Sequence, residues 1–376
     1  MKRIITATSL GNIIEWYEYG VYSYMAAIIG AQFFPESNKM TALLSGFAIF
    51  AISFIVRPLG GIIFGSIGDR FGRKQIMLIT ILLMSFSGAA LGLLPNYNSI
   101  GLMAPILLII LRIGQGLAAG GEYAGATVYV NESADKSRRG FFASFLEAGT
   151  VIGYLIGSLV VALLTFLLGQ DDMSAWGWRI PFLLSLPLAL AGLYIRVKLE
   201  DSPAFTQMKN ENSLSKEPLR EVFSTSKKPL IVSFLILAYA YCGYYTVMTF
   251  IPSYFSSQVG LSTSDSFKAT TIGMILMIIL IVTFGALSDR IGKRLLLFLS
   301  SLFGVLSSFP IFIYMNSGSQ LAPLVSYVIL TIIVACVAGV YCSTIPMMFQ
   351  SQVRIVSYAI SLNIAAAIFG GELLSL

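Results

Sequence analysis

The chain has 376 residues, with 24 Lys and Arg against 18 Asp and Glu, no histidine, and a formal net charge of +6. Hydrophobic residues make up 56% and charged residues only 11%, against roughly 25% charged in a soluble globular chain, so a soluble fold of this size is excluded for want of charge to cover its surface. The absence of histidine removes the commonest metal ligand and the usual proton shuttle near neutral pH, and Cys242, Cys336 and Cys342 all sit in apolar blocks, where they read as small packed hydrophobes rather than a disulfide or metal set.

The apolar residues come in long blocks of the roughly 20 residues that a bilayer core demands of a helix. In chain order they fall near 7–34, 41–64, 75–94, 101–130, 141–168, 178–198, 229–255, 267–288, 295–315, 321–349 and 355–376. Strand alternation is absent, so the spans are helices. The first block follows Met1-Lys2-Arg3, contains Glu15 and Glu18, and has neither the length nor the small-residue pattern of a cleaved signal peptide. The expectation is an all-α membrane protein of about eleven helices. With the N-terminus and every second loop on one side, nearly all Lys and Arg fall there. Lys39, Arg179 and Lys268 lie opposite, and Arg57 and Arg112 lie within spans. Positive loops mark the cytoplasmic side, which places the N-terminus inside and explains the net charge without a nucleic-acid partner.

Along these spans, span one carries Gly11-Asn12-Ile13-Ile14-Glu15-Trp16-Tyr17-Glu18-Tyr19-Gly20, and span two Arg57-Pro58-Leu59-Gly60-Gly61. The loop after span two reads Gly-Ser-Ile-Gly-Asp-Arg-Phe-Gly-Arg-Lys over 65–74. Span four contains Arg112-Ile113-Gly114-Gln115-Gly116 and Gly120-Gly121-Glu122-Tyr123; span five has Gly149, Gly153 and Gly157, a small-residue stripe for close packing. Trp176-Gly177-Trp178-Arg179-Ile180-Pro181-Phe182 enters span six and Leu199-Glu200-Asp201-Ser202-Pro203-Ala204-Phe205 leaves it. The mixed-charge stretch 199–228 follows as a linker in which Pro218–Phe223 suits a short amphipathic helix. Span seven brings Tyr239, Tyr241, Tyr244 and Tyr245, and 285–294 repeats the first loop as Gly-Ala-Leu-Ser-Asp-Arg-Ile-Gly-Lys-Arg. Both copies face the same side, so the repeat is parallel, as in carriers whose halves are related about the membrane normal. Asp69 and Asp289 can each pair with a cation or cap a helix N-terminus.

Ionisable groups at membrane depth are costly and usually functional. Without histidine a coupling proton has to ride on a carboxylate, and Glu15, Glu18, Glu122 and Glu147, with Arg112, are the candidate proton-coupling residues. Glu15 and Glu18 share one helix face. Arg57, near its span end, reads as structural. Tyr19, Tyr22, Arg112, Tyr241, Tyr245 and Asn363 are the candidate substrate residues. Aromatic faces bind quaternary ammonium groups, although packing and interface tyrosines explain the same clusters.

The repeated loop is similar to the loop signature of the major facilitator superfamily, and the motifs together resemble its metabolite:proton symporters, a group that includes carriers of proline and betaine, citrate, 2-oxoglutarate and shikimate. The resemblance implies a major facilitator fold of two parallel-repeat six-helix halves: residues 1–198, a cytoplasmic linker over 199–228, and 229–376 as an incomplete half of about five helices. It also implies a conformational latch at Gly65, Asp69, Arg70, Gly72, Arg73, Asp289, Arg290 and Gly292. Glu18 stands where the family usually has aspartate, and the ending Gly370-Gly371-Glu372-Leu373-Leu374-Ser375-Leu376 looks like an altered span eleven with span twelve missing. The expected function is secondary active transport of a small organic solute by alternating access. Proton symport of a zwitterion or carboxylate, as in osmoprotectant or organic-acid uptake, fits best, by a monomer in the cytoplasmic membrane without cofactor or metal. No selectivity-filter loop points to a channel, and no nucleophile–base pair to an enzyme. The alternative is a truncated, transport-inactive remnant or solute sensor.

Overall fold

In lipid each backbone N–H and C=O has to be satisfied within its own segment or by closed strand pairing. The computed structural model describes residues 1–34, 39–260, 262–317, 319 and 321–370, and these contain helices and no strand. Eleven long helices follow one another: α1 (Lys2–Phe33), α2 (Lys39–Phe71), α3 (Arg73–Leu93), α4 (Met103–Ser133), α5 (Arg139–Asp172), α6 (Arg179–Val197), α7 (Lys227–Tyr245), α8 (Thr263–Ile291), α9 (Lys293–Met315), α10 (Ala322–Thr344) and α11 (Arg354–Phe369). A π turn over Thr246–Phe250 carries α7 into Ile251–Ser257. The segment read from sequence as an altered span end, 371–376, lies outside the described residues, as does the side chain of Lys39.

Among the described residues ten helices are long and apolar enough to cross a membrane. The one outside that set is α1, whose 32 residues include Asn12, Glu15, Glu18 and several tyrosines. Those polar side chains are buried against neighbouring helices, so α1 owes its place in the bundle to its partners more than to its own apolarity. The linker holds two short helices. Pro218–Thr225 covers the amphipathic segment expected there. Pro203–Asn210 was not anticipated; Ser202 caps it by accepting from the Phe205 amide at 3.2 Å, and Pro203 supplies the preset first turn.

Single glycines join two helix pairs. Gly72 (φ 128°) separates α2 from α3, and Gly292 (φ 97°) separates α8 from α9, conformations that a Cβ would strain. The glycine stripe of α5 is its contact surface with α1: a Cβ at Gly153 would lie 2.3 Å from the Ile13 carbonyl oxygen, and one at Gly157 2.9 Å from that of Tyr17. Elsewhere α2 lies along α4 and α11, α8 along α5, and α10 along α8 and α9.

Candidate functional site

The two repeated loops lie at the same end of the bundle, and each aspartate reaches a helix from the other part of the chain. Asp69 accepts from the amides of Ile355 (3.2 Å) and Val356 (2.9 Å) at the start of α11. Asp289 accepts from Gly140 (2.7 Å) and Phe141 (2.8 Å) at the start of α5. Each carboxylate thus satisfies otherwise orphan amides and meets the positive end of a helix dipole. Gly65 and Gly285 let these helices close in, since Cβ atoms there would lie 2.7 Å from Val356 Cα and 2.4 Å from Ser144 Oγ. Arg73 lies 3.5 Å from Asp69, donates to the Ser351 carbonyl at 2.7 Å, and pairs at 3.0 Å with Glu132, which also binds Arg354 at 2.7 Å. Arg70, Arg290 and Gly292 are exposed beside this network.

Three buried ionic clusters occupy the middle of the bundle. In the first, Glu122 of α4 meets Arg196 of α6 (Nη1 to Oε2, 2.9 Å) and accepts from Thr80 of α3. The same guanidinium donates to the carbonyls of Met77 (2.7 Å) and Ala7 (3.1 Å). In the second, Arg112 donates to Gln115 (2.7 Å), Gln115 donates to Glu18 (2.8 Å), and Arg112 lies over Tyr22 at 3.8 Å from the ring centroid. The third is an ion pair of Glu15 with Arg57, whose guanidinium is flanked by the rings of Trp16 (5.7 Å), Tyr19 (5.2 Å) and Phe54 (5.3 Å). Arg57 Nε and Nη1 are buried with no hydrogen-bond partner among the described residues.

Arg57 opens onto a small central cavity lined by Trp16, Tyr123, Glu147, Thr150, Tyr241, Tyr244 and Tyr341. These residues come from α1, α4, α5, α7 and α10, so both parts of the chain wall it. Glu147 accepts from the Tyr123 and Tyr341 hydroxyls, both at 2.6 Å on Oε2. A second cavity shares Trp16 and Tyr244 and is lined by Tyr19, Phe50, Phe54 and Tyr245. It lies farther from the repeated loops, and Tyr241 stacks on Tyr245 (6.2 Å, 27°) between the two.

Of the residues singled out in the sequence, Glu147 and Tyr241 line the central cavity, Glu15 reaches it through Arg57, and Tyr19 and Tyr245 line its neighbour. Glu18, Arg112 and Tyr22 gather in their own cluster, Glu122 in another. Asn363 donates to the carbonyls of Gly120 and Ala359 (both 2.8 Å) and ties α11 to α4. Arg57, read as structural from its context, faces the cavity. Tyr123, Tyr341, Glu132 and Arg196 carry polar contacts that motif reading did not assign. For Arg196 a signal existed: it lies inside the apolar block 178–198 although it was grouped with the positive loop residues.

A cavity with a buried guanidinium and a carboxylate in its wall, at the centre of a bundle of helices long and apolar enough to cross a membrane, is the arrangement of a multi-pass membrane transporter. The sequence model described as Major Facilitator Superfamily matches residues 9–371. A relative from Staphylococcus aureus (strain COL) is 39% identical over 379 residues, covering 98% of this chain and 80% of that one. The "Proline/betaine transporter" of Escherichia coli (strain K12) is 36% identical over 98% of this chain and 76% of its own. Among solved structures, the E. coli proton:xylose symporter XylE bound to 6-bromo-6-deoxy-D-glucose aligns with a TM-score of 0.79 at 18% identity, over 98% of this chain and 86% of that one. The chain belongs to the Major Facilitator Superfamily. It is a non-enzymatic, secondary active transporter of small solutes.

Proposed function

We propose that this transporter takes up a small zwitterion of the proline or betaine type by proton symport, and that Glu15 and Arg57 couple the two. The observation that carries this reading is the buried guanidinium at the cavity wall, bound to one carboxylate and left with two unpartnered donors. An ionised Glu15 and the carboxylate of a solute compete for Arg57. Protonating Glu15 releases the guanidinium to the solute, and a bound solute favours the protonated acid in turn, because coupling between two ligands is reciprocal. Relatives named as proline/betaine transporters support the solute class.

In this reading residues 1–198 and 229–376 act as two bodies joined by the linker 199–228 and rock about the cavity. The caps at Asp69 and Asp289, with Gly65, Gly72, Arg73, Arg70, Arg290 and Gly292 around them, hold the state in which the repeated loops are shut. The bias of Lys and Arg places those loops and the N-terminus in the cytoplasm of a cell whose plasma membrane holds the protein, working as a monomer surrounded by lipid. Glu18 and Arg112, joined through Gln115 and bordered by Tyr19 and Tyr22, serve as a second proton-accessible pair one turn beyond Glu15. Asn363 sets α11 against α4.

The test is uptake of labelled glycine betaine and proline into proteoliposomes under an inward proton gradient, together with solute affinity at several pH values. The expected result is gradient-driven uptake in the wild type. In Glu15→Gln, binding becomes independent of pH and accumulation is lost. Gradient-driven accumulation that survives in Glu15→Gln would remove Glu15 from the coupling step.

A further inference from the structure

Four carboxylates are buried around the centre of the bundle: Glu15, Glu18, Glu122 and Glu147. A guanidinium answers three of them, Arg57 for Glu15, Arg196 for Glu122 and, through Gln115, Arg112 for Glu18. Glu147 has no cationic partner among the described residues. Two phenols converge on its Oε2, while its Oε1 accepts no hydrogen bond from the described residues. An unanswered charge at this depth is costly. The same cavity wall holds Arg57 with its two unpartnered donors and the rings of Trp16, Tyr241 and Tyr244.

We infer that Glu147 is the selectivity residue of this cavity: it demands a positively charged nitrogen in the solute, held against the aromatic rings, while Arg57 takes the solute's carboxylate. The inference rests on the solute site proposed above and goes beyond it by assigning the end of the solute that decides acceptance. A zwitterion completes both halves of the cavity and adds no net charge. An anion of the same shape satisfies Arg57 but sets an apolar group against Glu147 and leaves that charge unanswered. A secondary ammonium can donate N–H to the free Oε1; a quaternary one has no N–H and is held by Coulomb attraction and the ring faces. Because Tyr123 comes from α4 and Tyr341 from α10, the carboxylate that reads the nitrogen is also a point where the two sides of the cavity meet.

The deciding comparison uses glycine betaine and 3,3-dimethylbutyrate, an isostere in which carbon replaces the charged nitrogen. Each is offered to the full chain in proteoliposomes, as labelled solute and as competitor, for the wild type, Glu147→Gln and Glu147→Asp. We expect the wild type to prefer betaine by about tenfold or more, Glu147→Gln to abolish or invert that preference, and Glu147→Asp to retain it at lower affinity. A wild type that accepts both compounds equally, or a Glu147→Gln variant that keeps the wild-type ratio, overturns the inference. If Glu147→Gln handles neither compound, Glu147→Asp decides, since loss of the preference there is also refuting. A wild type that takes up neither compound under a gradient refutes the proposed betaine-type proton symport, and the inference falls with it.

Discussion

Replacing Glu122 by glutamine removes one charge from the pair that fastens α4 to α6. Arg196 would remain fully buried with the carbonyls of Ala7 and Met77 as acceptors and without its ion-pair partner. Removing one partner of a buried pair costs about 3–5 kcal/mol. With an unfolding entropy of about 2.1 cal/mol/K per residue over 376 residues, the thermal midpoint drops by about 5 °C. The double replacement Glu122→Gln with Arg196→Met removes both charges and regains most of that loss, so the pair shows a coupling energy of about 3 kcal/mol or more in a double-mutant cycle. Thermal unfolding of the wild type, both single variants and the double variant in detergent, followed by tryptophan fluorescence, reads this directly, with proton-driven uptake measured in parallel. The clamp reasoning is refuted if Glu122→Gln leaves the midpoint unchanged yet moves the pH dependence of uptake, because Glu122 would then be exchanging a proton.

Three further perturbations address the closed end and the cavity. Gly65→Val drives a side chain into the α11 backbone, so thiol reagents applied from the repeated-loop side should alkylate buried Cys342 several-fold faster in a Cys242→Ser background; an unchanged rate argues against Gly65 as a closure contact. Asp289→Asn should weaken its cap by about 1 kcal/mol, and Asp69→Asn should slow uptake more, since Asp69 also neighbours Arg73; equal losses would show that the Arg73 network adds nothing to closure. Arg57→Lys keeps the charge but loses the forked donor geometry, so solute affinity should fall at least about tenfold with little change in thermal midpoint; intact affinity would exclude a carboxylate site at Arg57.

The spans, their order and the repeated loop were legible because lipid imposes a length and an apolarity that show in any window of the sequence. That Glu15, Glu122 and Glu147 lie within long helices was legible for the same reason. Azimuth and partnership were not. Arg57 meets Glu15 from 42 residues away, Arg196 meets Glu122 from 74, and Tyr341 meets Glu147 from 194. Helical periodicity says which residues share a face of one helix, and nothing about which face of a distant helix lies opposite. Hence the place of Arg57 at the cavity wall was not legible from its local Arg-Pro-Leu-Gly-Gly context, nor was the enclosure of Glu122 by Arg196 and Thr80. The capping role open to Asp69 and Asp289 could be named from their chemistry, but the helices they cap, α11 and α5, could not.

Glu147, which has no cationic partner among the described residues, also bears on how a membrane potential acts on the cycle. In the coupling proposed above, the unloaded cavity, with Glu15 and Glu147 ionised beside Arg57, carries net negative charge; with a proton on Glu15 and a zwitterion bound, it is close to neutral. A field of 100 mV does about 2.3 kcal/mol of work on one elementary charge that crosses it fully. In an inside-negative membrane that work pushes the unloaded cavity outward and leaves the loaded one almost untouched. Voltage would therefore act on the resetting stroke of this transporter, and the chemical gradient of protons on the loading stroke.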